Sequence, residues 1–217
     1  MLFRSSKIVA PKGSTFTSLP VGSGGELIPA FWTTDPSNSS AKYAYIMIHG
    51  KLRNGGEYWT TMNNILQESA KAGISGASDS AIVVAPQFFS EKYNSGQYTK
   101  EMLAFGDVNA WQAGDPAIHP PGTKLTSFDA LDALVDEFSD QNKYPNLQNI
   151  TVVGHGGGGQ LNQRYAMVAK SPSSSTPHIR YIHGDPSSCA YFTKNRPSKM
   201  SDGDKLPSRK SCKYYNT

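Results

Sequence analysis

The stretch Thr151-Val152-Val153-Gly154-His155-Gly156-Gly157-Gly158-Gly159-Gln160 has the layout of a nucleophile elbow from which the nucleophile is missing. A β-branched strand, Asn149 to Val153, runs into a glycine-rich corner, and a helix-compatible segment, Gln160 to Ala169, leaves it. The elbow pattern Gly-x-Ser-x-Gly holds a serine on a sharp, strained strand-to-helix turn with its hydroxyl exposed. Here the pattern reads Gly154-His155-Gly156-Gly157-Gly158, and Gly156, in the serine's place, has no side chain with which to attack a carbonyl. Glycine carries no Cβ penalty at unusual dihedrals, so the shape of the turn is expected to outlast the hydroxyl.

The same glycines carry a second pattern. Gly154-x-Gly156-x-x-Gly159 matches Gly-x-Gly-x-x-Gly, follows a strand, opens a helix, and is followed by another strand ending near Asp185. That is the order of a dinucleotide-binding unit, with pyrophosphate on the helix N-terminus and an acid on the ribose. Asp185 lies farther from the glycines than the roughly 20 residues such a unit uses, and a run of glycines meets the pattern easily. The elbow is the preferred reading, and the dinucleotide site is kept as the alternative.

These residues need strands and helices to position them. Tyr43-Ala44-Tyr45-Ile46-Met47-Ile48 and Ala81-Ile82-Val83-Val84-Ala85 are near-continuous apolar runs, the signature of strands buried on both faces of a parallel sheet. Leu27 to Trp32 and Ile179 to His183 are further strands. Glu57 to Ala72 has helical spacing through Trp59, Met62, Ile65, Leu66 and Ala70. Ser127 is expected to cap a second helix bearing Leu131, Leu134 and Phe138. The first 25 residues read as extended chain and turns. Gln87 to Thr126 reads as one long irregular stretch, a lid, a binding insertion or a mobile segment. Strands alternating with helices imply one α/β domain over 1–217, a mostly parallel sheet flanked by helices. Right-handed crossovers then bring three strand ends to one edge: His49-Gly50, the elbow, and Gly184-Asp185.

In that order these motifs resemble the α/β-hydrolase superfamily. The stretch from Ser127-Phe128-Asp129-Ala130-Leu131-Asp132, through Tyr144-Pro145-Asn146-Leu147 and the elbow, to Gln160-Leu161-Asn162-Gln163-Arg164-Tyr165-Ala166 is similar to poorly characterised microbial and fungal serine-esterase-like proteins whose elbow reads Gly-His-Ser-x-Gly-Gly-Gln. The resemblance covers roughly Tyr43 to Pro197. It implies acyl transfer to water from an ester, Gly156 as the vacated nucleophile position and the Gly157 amide as one oxyanion donor. A second amide would come from the loop opened by His49 and Gly50, at Lys51 or Leu52. Asp185 is the acid candidate, with a turn aspartate before Pro186 as the equal alternative. His155, His178 and His183 do not match the family's catalytic histidine, and His119 reads as a surface-loop residue. The resemblance also implies further strands and a histidine-bearing loop after Asp185, for which this sequence offers no candidates. A second chain or fragment completing the fold is one expectation, an inactive ligand-binding protein on the same scaffold another. Little or no esterase activity is expected of the chain, and its ligand is expected to be a small ester-like molecule.

Composition narrows the rest. At 217 residues, with 37% hydrophobic residues and 11% aromatics, the chain suits one globular domain. Its net charge of +4 gathers towards the C-terminal end, between Lys194 and Lys213, and reads as a solvated basic tail rather than a nucleic-acid face. No apolar run approaches the roughly 20 residues needed to cross a bilayer, so no membrane partner is expected. Met1 to Lys7 lacks a signal peptide's apolar core. No metal is expected, since closely spaced Cys/His ligands are missing, and no cofactor is called for by the elbow reading. Cys189 and Cys212 are either a disulfide, which would suit secretion, or two separate thiols. Trp111, Tyr93, Tyr98, Phe88 and Phe89 either line an apolar pocket in the insertion or pack it.

Overall fold

The computed structural model describes residues 8–74, 80–106, 109–174 and 176–192. Its frame is a six-stranded sheet. β1 (Ser14–Val21) and β2 (Glu26–Thr33) form an antiparallel hairpin. β3 (Tyr43–Ile48) leads through α1 (Gly55–Lys71) to β4 (Ala81–Pro86). The segment after β4 holds four short elements: β5 (Phe89–Ser90), α2 (Glu91–Asn94), β6 (Ala104–Phe105) and α3 (Ala110–Ala113). α4 (Ser127–Ser139), β7 (Asn149–His155), α5 (Gly157–Val168) and β8 (His178–Gly184) complete the order. The strands lie side by side as β1-β2-β4-β3-β7-β8. β4, β3, β7 and β8 are mutually parallel, and β2 alone runs against the others. The fold class is α/β, a mostly parallel sheet flanked by helices.

The period-two alternation of the central strands builds two cores. Ile46, Ile48, Ile82, Val84, Ile150 and Val152 point to one face, where Leu131, Leu134 and Phe138 of α4 and Leu161 and Tyr165 of α5 cover them. Met47, Val83 and Ala85 point to the other, under Trp59, Met62 and Leu66 of α1. Burying a side chain of this size contributes roughly 1.5–3 kcal/mol, so each helix is held mainly by its apolar stripe. That stripe fixes where the N-terminus of α5 must lie.

Three details depart from the sequence reading. The opening segment is not turns alone: Ser14 to Val21 is an eight-residue edge strand. Its Pro20 obscures it in sequence, yet proline is tolerated on an edge where no ladder hydrogen bond is lost. The cap of α4 is Thr126, not Ser127. The Thr126 hydroxyl accepts from the amides of Phe128 and Asp129 at 3.1 and 3.2 Å, and Asp129 accepts from the Thr126 amide at 2.9 Å. This reciprocal pair is a capping box. Ser127 is instead buried and donates to the carbonyl of Trp111 at 2.6 Å.

The insertion is the third departure. Phe88, Phe89, Leu103, Phe105 and Trp111 are fully buried. Its backbone is stitched to β2, with the Leu27 amide donating to Glu101 and the Leu103 amide to Leu27, both at 2.9 Å. Elements of two to four residues are too short to show a period, which is why the segment reads as irregular. Of the candidate pocket residues, Phe88 stacks on Trp111, Phe89 lies against Tyr98 and lines a cleft at the start of α1, and Tyr93 is exposed. No helix among the described residues is long and apolar enough to cross a membrane. Cys189 is half-buried; Cys212 and the basic stretch from Lys194 lie outside the described residues.

Candidate active site at the elbow

β7 runs into α5 through one residue. Gly156 has φ 58° and ψ −116°, a region that disfavours any side chain. It is the N-cap of α5, and its carbonyl accepts the first intrahelical bond, from Gln160, at 2.9 Å. The amides of Gly157, Gly158 and Gly159 precede that bond and have no intrahelical acceptor.

The surrounding glycines are there because two backbones approach closely. A Cβ on Gly154 would lie 2.2 Å from the Gly158 carbonyl oxygen, one on Gly158 would lie 2.5 Å from that of Ile48, and one on Gly159 would lie 2.4 Å from that of Gly184. At Gly156 a Cβ would meet nothing within 4 Å. The turn therefore packs tightly on three sides and leaves residue 156 pointing into open space.

Strand register brings the expected edge together. Ile48 pairs with Gly154, and His155 pairs with Gly184. Gly156 and Asp185 follow directly on that last pair, and Gly50 comes two residues after Ile48. A Cβ on Gly50 would lie 2.8 Å from the Tyr58 hydroxyl and 4.0 Å from the His155 carbonyl oxygen, so the loop after β3 begins directly beside the elbow. Lys51 and Leu52 form an exposed turn that closes with the Arg53 amide donating to Gly50 at 3.1 Å.

His49 is fully buried and both ring nitrogens are engaged. Nε2 accepts from the Phe88 amide at 3.0 Å, which leaves the proton on Nδ1 to donate to the Gly50 carbonyl at 2.8 Å. Burial pushes its pKa down to about 3, with the Arg53 charge acting in the same direction and the bond to Gly50 opposing. A neutral imidazole with no free nitrogen cannot act as a general base; it ties the loop after β3 to the insertion. Arg53, at φ 56°, donates to the Phe88 carbonyl at 3.2 Å and lies 5.4 Å from the centre of the Trp111 ring.

Asp185 has φ 45° and is exposed. The chain beyond it folds back onto α5: Ser187 donates to Gln160 at 2.6 Å, and Arg164 reaches both Ser188 at 2.9 Å and the Gln112 carbonyl at 3.1 Å. His155, His178 and His183 are exposed. His119 is half-buried beneath the Tyr98 ring, with Nδ1 on the Met102 carbonyl at 2.9 Å.

Two residues at the elbow escaped the sequence reading. Tyr58, on the first turn of α1, lies within the segment read as helical but outside the apolar stripe named there. Gln112 lies inside the insertion, where no motif marks it. Its side-chain nitrogen would stand 3.0 Å from a Cβ on Gly157, and the Trp111 ring 3.3 Å, so these two residues wall one side of the α5 N-terminus. The elbow lies half-exposed at the surface. A cleft of about 890 Å3 beside α4 and another of about 460 Å3 at the start of α1 lie away from it.

No family model matches the chain, and no curated protein matches it significantly by sequence. Among solved structures it is similar to poly(aspartic acid) hydrolase-1 from Sphingomonas sp. KT-1, at 17% identity and a TM-score of 0.47, covering 77% of this chain and 55% of that one. It is also similar to a poly(3-hydroxybutyrate) depolymerase from Bordetella parapertussis, at 16% identity and a TM-score of 0.44, covering 73% and 48%. A third is carboxyl esterase 2 from the mycorrhizal fungus Tuber melanosporum, at 17% identity and a TM-score of 0.41, covering 77% and 45%. The chain spans about half the length of these proteins.

Proposed function

We propose that this chain is a serine-hydrolase-like scaffold of the α/β-hydrolase type, built for ester-class acyl chemistry and disarmed at residue 156. The observation that carries this reading is the conformation of Gly156: φ 58° and ψ −116° between a central strand and its helix, with an open Cβ direction. A serine there would project its hydroxyl out of the turn, next to the Gly157 amide. In this reading Gly157 is an oxyanion donor, His49 and Gly50 shape the loop that supplies a second amide from Lys51 or Leu52, and Asp185 is the acid. Preorganised donors of this kind stabilise a developing oxyanion, each by about 2.7–4 kcal/mol.

Gly158 favours this reading over a dinucleotide site. A Cβ on Gly158 would lie 2.5 and 2.6 Å from the Ile48 and His49 carbonyl oxygens. The elbow pattern requires a glycine there, whereas Gly154-x-Gly156-x-x-Gly159 leaves the position free. A ligand-binding protein without turnover is the second reading, and the α5 amides that precede the first intrahelical bond support it.

The test is Gly156→Ser assayed with p-nitrophenyl butyrate. A triad lacking a member keeps about 10³–10⁴ over water from the oxyanion donors and binding alone, so a gain in Gly156→Ser reports activation of a hydroxyl placed at residue 156. Hydrolysis above that of the unaltered chain is expected. A folded variant with unchanged hydrolysis would remove the hydrolase reading and leave the binding one.

A further inference from the structure

The geometry points to Gln112 as a ligand-positioning residue of the elbow, its side-chain amide and the Gly157 amide together holding one carboxylate group of a short-chain acid. The inference rests on the reading of the elbow as an oxygen-binding turn and adds to it the class of ligand held and the residue that selects it.

Gln112 is only 5% exposed, and a buried amide ordinarily has a hydrogen-bond partner. Its backbone is engaged, the amide donating to Asn109 at 2.9 Å and the carbonyl accepting from Arg164 at 3.1 Å. Its side-chain amide takes part in none of the hydrogen bonds among the described residues and is not one of their fully buried polar groups without a partner, so its tip is reached by solvent. It ends against the first residue of α5, 3.0 Å from the Cβ direction of Gly157. A 12-residue helix there presents amides lacking intrahelical acceptors and the positive end of its dipole. An anion with two oxygens answers both needs, one oxygen taking the helix amide and the other the glutamine N–H.

The surroundings hold Gln112 in place. Trp111, beside it, is clamped between Phe88, stacked at 5.4 Å, and His49 at 4.8 Å. Arg164 pins the Gln112 carbonyl from α5 itself. The group is therefore fixed relative to the helix end, as a positioning residue must be. The open space at Gly156 leaves room for the chain of the acid to leave the site. In an ester-cleaving relative of this scaffold the same contacts would hold the acid product.

The experiment is a titration of the isotopically labelled full chain with sodium butyrate, followed by amide NMR, with n-butanol as the uncharged control. The Gly157 backbone signal and the Gln112 side-chain signals are expected to move together and saturably with butyrate and to stay put with butanol. Gln112→Leu should weaken butyrate about tenfold or more, the size of one hydrogen bond to a charged group. Gln112→Glu, which sets a like charge in the site, should abolish binding. Movement of Gly157 without Gln112, or equal affinity in Gln112→Leu, would overturn the inference and leave the elbow reading standing. If neither signal moves, the elbow reading falls with it. The side-chain signals of the unaltered chain report directly, so a variant that folds poorly does not remove the test.

Discussion

The backbone amide of Gly156 donates to the carbonyl of Gly184 at 3.0 Å. One bond thus ties the turn at the end of β7 to the last residue of β8. The same carbonyl oxygen faces Gly159, where a Cβ would come within 2.4 Å. The elbow is locked sideways to the neighbouring strand and downwards onto β3, and only its outward face is free. Its shape belongs to the sheet and does not depend on the residue at 156 carrying a functional group.

Alanine substitutions should separate these roles. Gly158→Ala drives a methyl into the Ile48 and His49 carbonyls, and α5 must shift to accept it. The loss of stability should reach or exceed the ~3 kcal/mol upper end of overpacking. Gly156→Ala meets no neighbour and costs only its backbone strain, about 1–3 kcal/mol. Urea unfolding of the two variants checks the order, and equal losses would contradict the packing described.

His49 makes stability depend on pH. Its pKa in the folded chain, about 3, lies below the ordinary 6.5, so between these values the unfolded chain binds the extra proton. Its contribution is complete above pH 6.5 and is lost as pH falls towards 3, by up to about 1.4 kcal/mol per pH unit. Comparing the chain with His49→Asn by urea unfolding between pH 7 and pH 4.5 isolates that proton. The slope should be shallower in the variant, and parallel slopes would refute a buried neutral imidazole.

Much of this frame is legible in the sequence. The apolar runs at Tyr43 to Ile48 and Ala81 to Ala85 place two strands because residues buried on both faces must be apolar throughout, and the glycine run marks the corner between β7 and α5. What escapes detection is set by contacts remote in sequence. β1 is hidden because an edge strand with one wet face and a proline lacks strong patterning. The Thr126 cap loses to Ser127 because both residues suit a cap, and only geometry tells which hydroxyl faces the amides. Gln112 is invisible because its place beside Gly157 comes from the packing of Trp111 on His49 and Phe88, 23 or more residues away in the chain. His49 reads as part of a loop at the elbow's edge, and its full burial and two hydrogen bonds appear only in three dimensions.

The dinucleotide alternative gives an opposite expectation in a simple assay. A ligand that binds the folded chain at 100 times its Kd adds about 2.7 kcal/mol of stability. Thermal unfolding with millimolar NAD or FAD should leave Tm unchanged. A rise of several degrees with either would favour a pyrophosphate on Gly154 to Gly159 over an acyl group at Gly156.

The most direct test of the central claim places a thiol at the vacated position. In Gly156→Cys, with Cys189 and Cys212 changed to serine, the thiol stands at the N-terminus of α5, where the helix dipole favours a thiolate without a partner base. Attack on p-nitrophenyl butyrate forms a thioester and releases p-nitrophenolate. One equivalent per chain is predicted to appear as a burst, while the same background with Gly156 retained gives none. A folded variant whose thiol titrates near the ordinary 8.5 and releases no burst would show that residue 156 does not face a site for carbonyl chemistry.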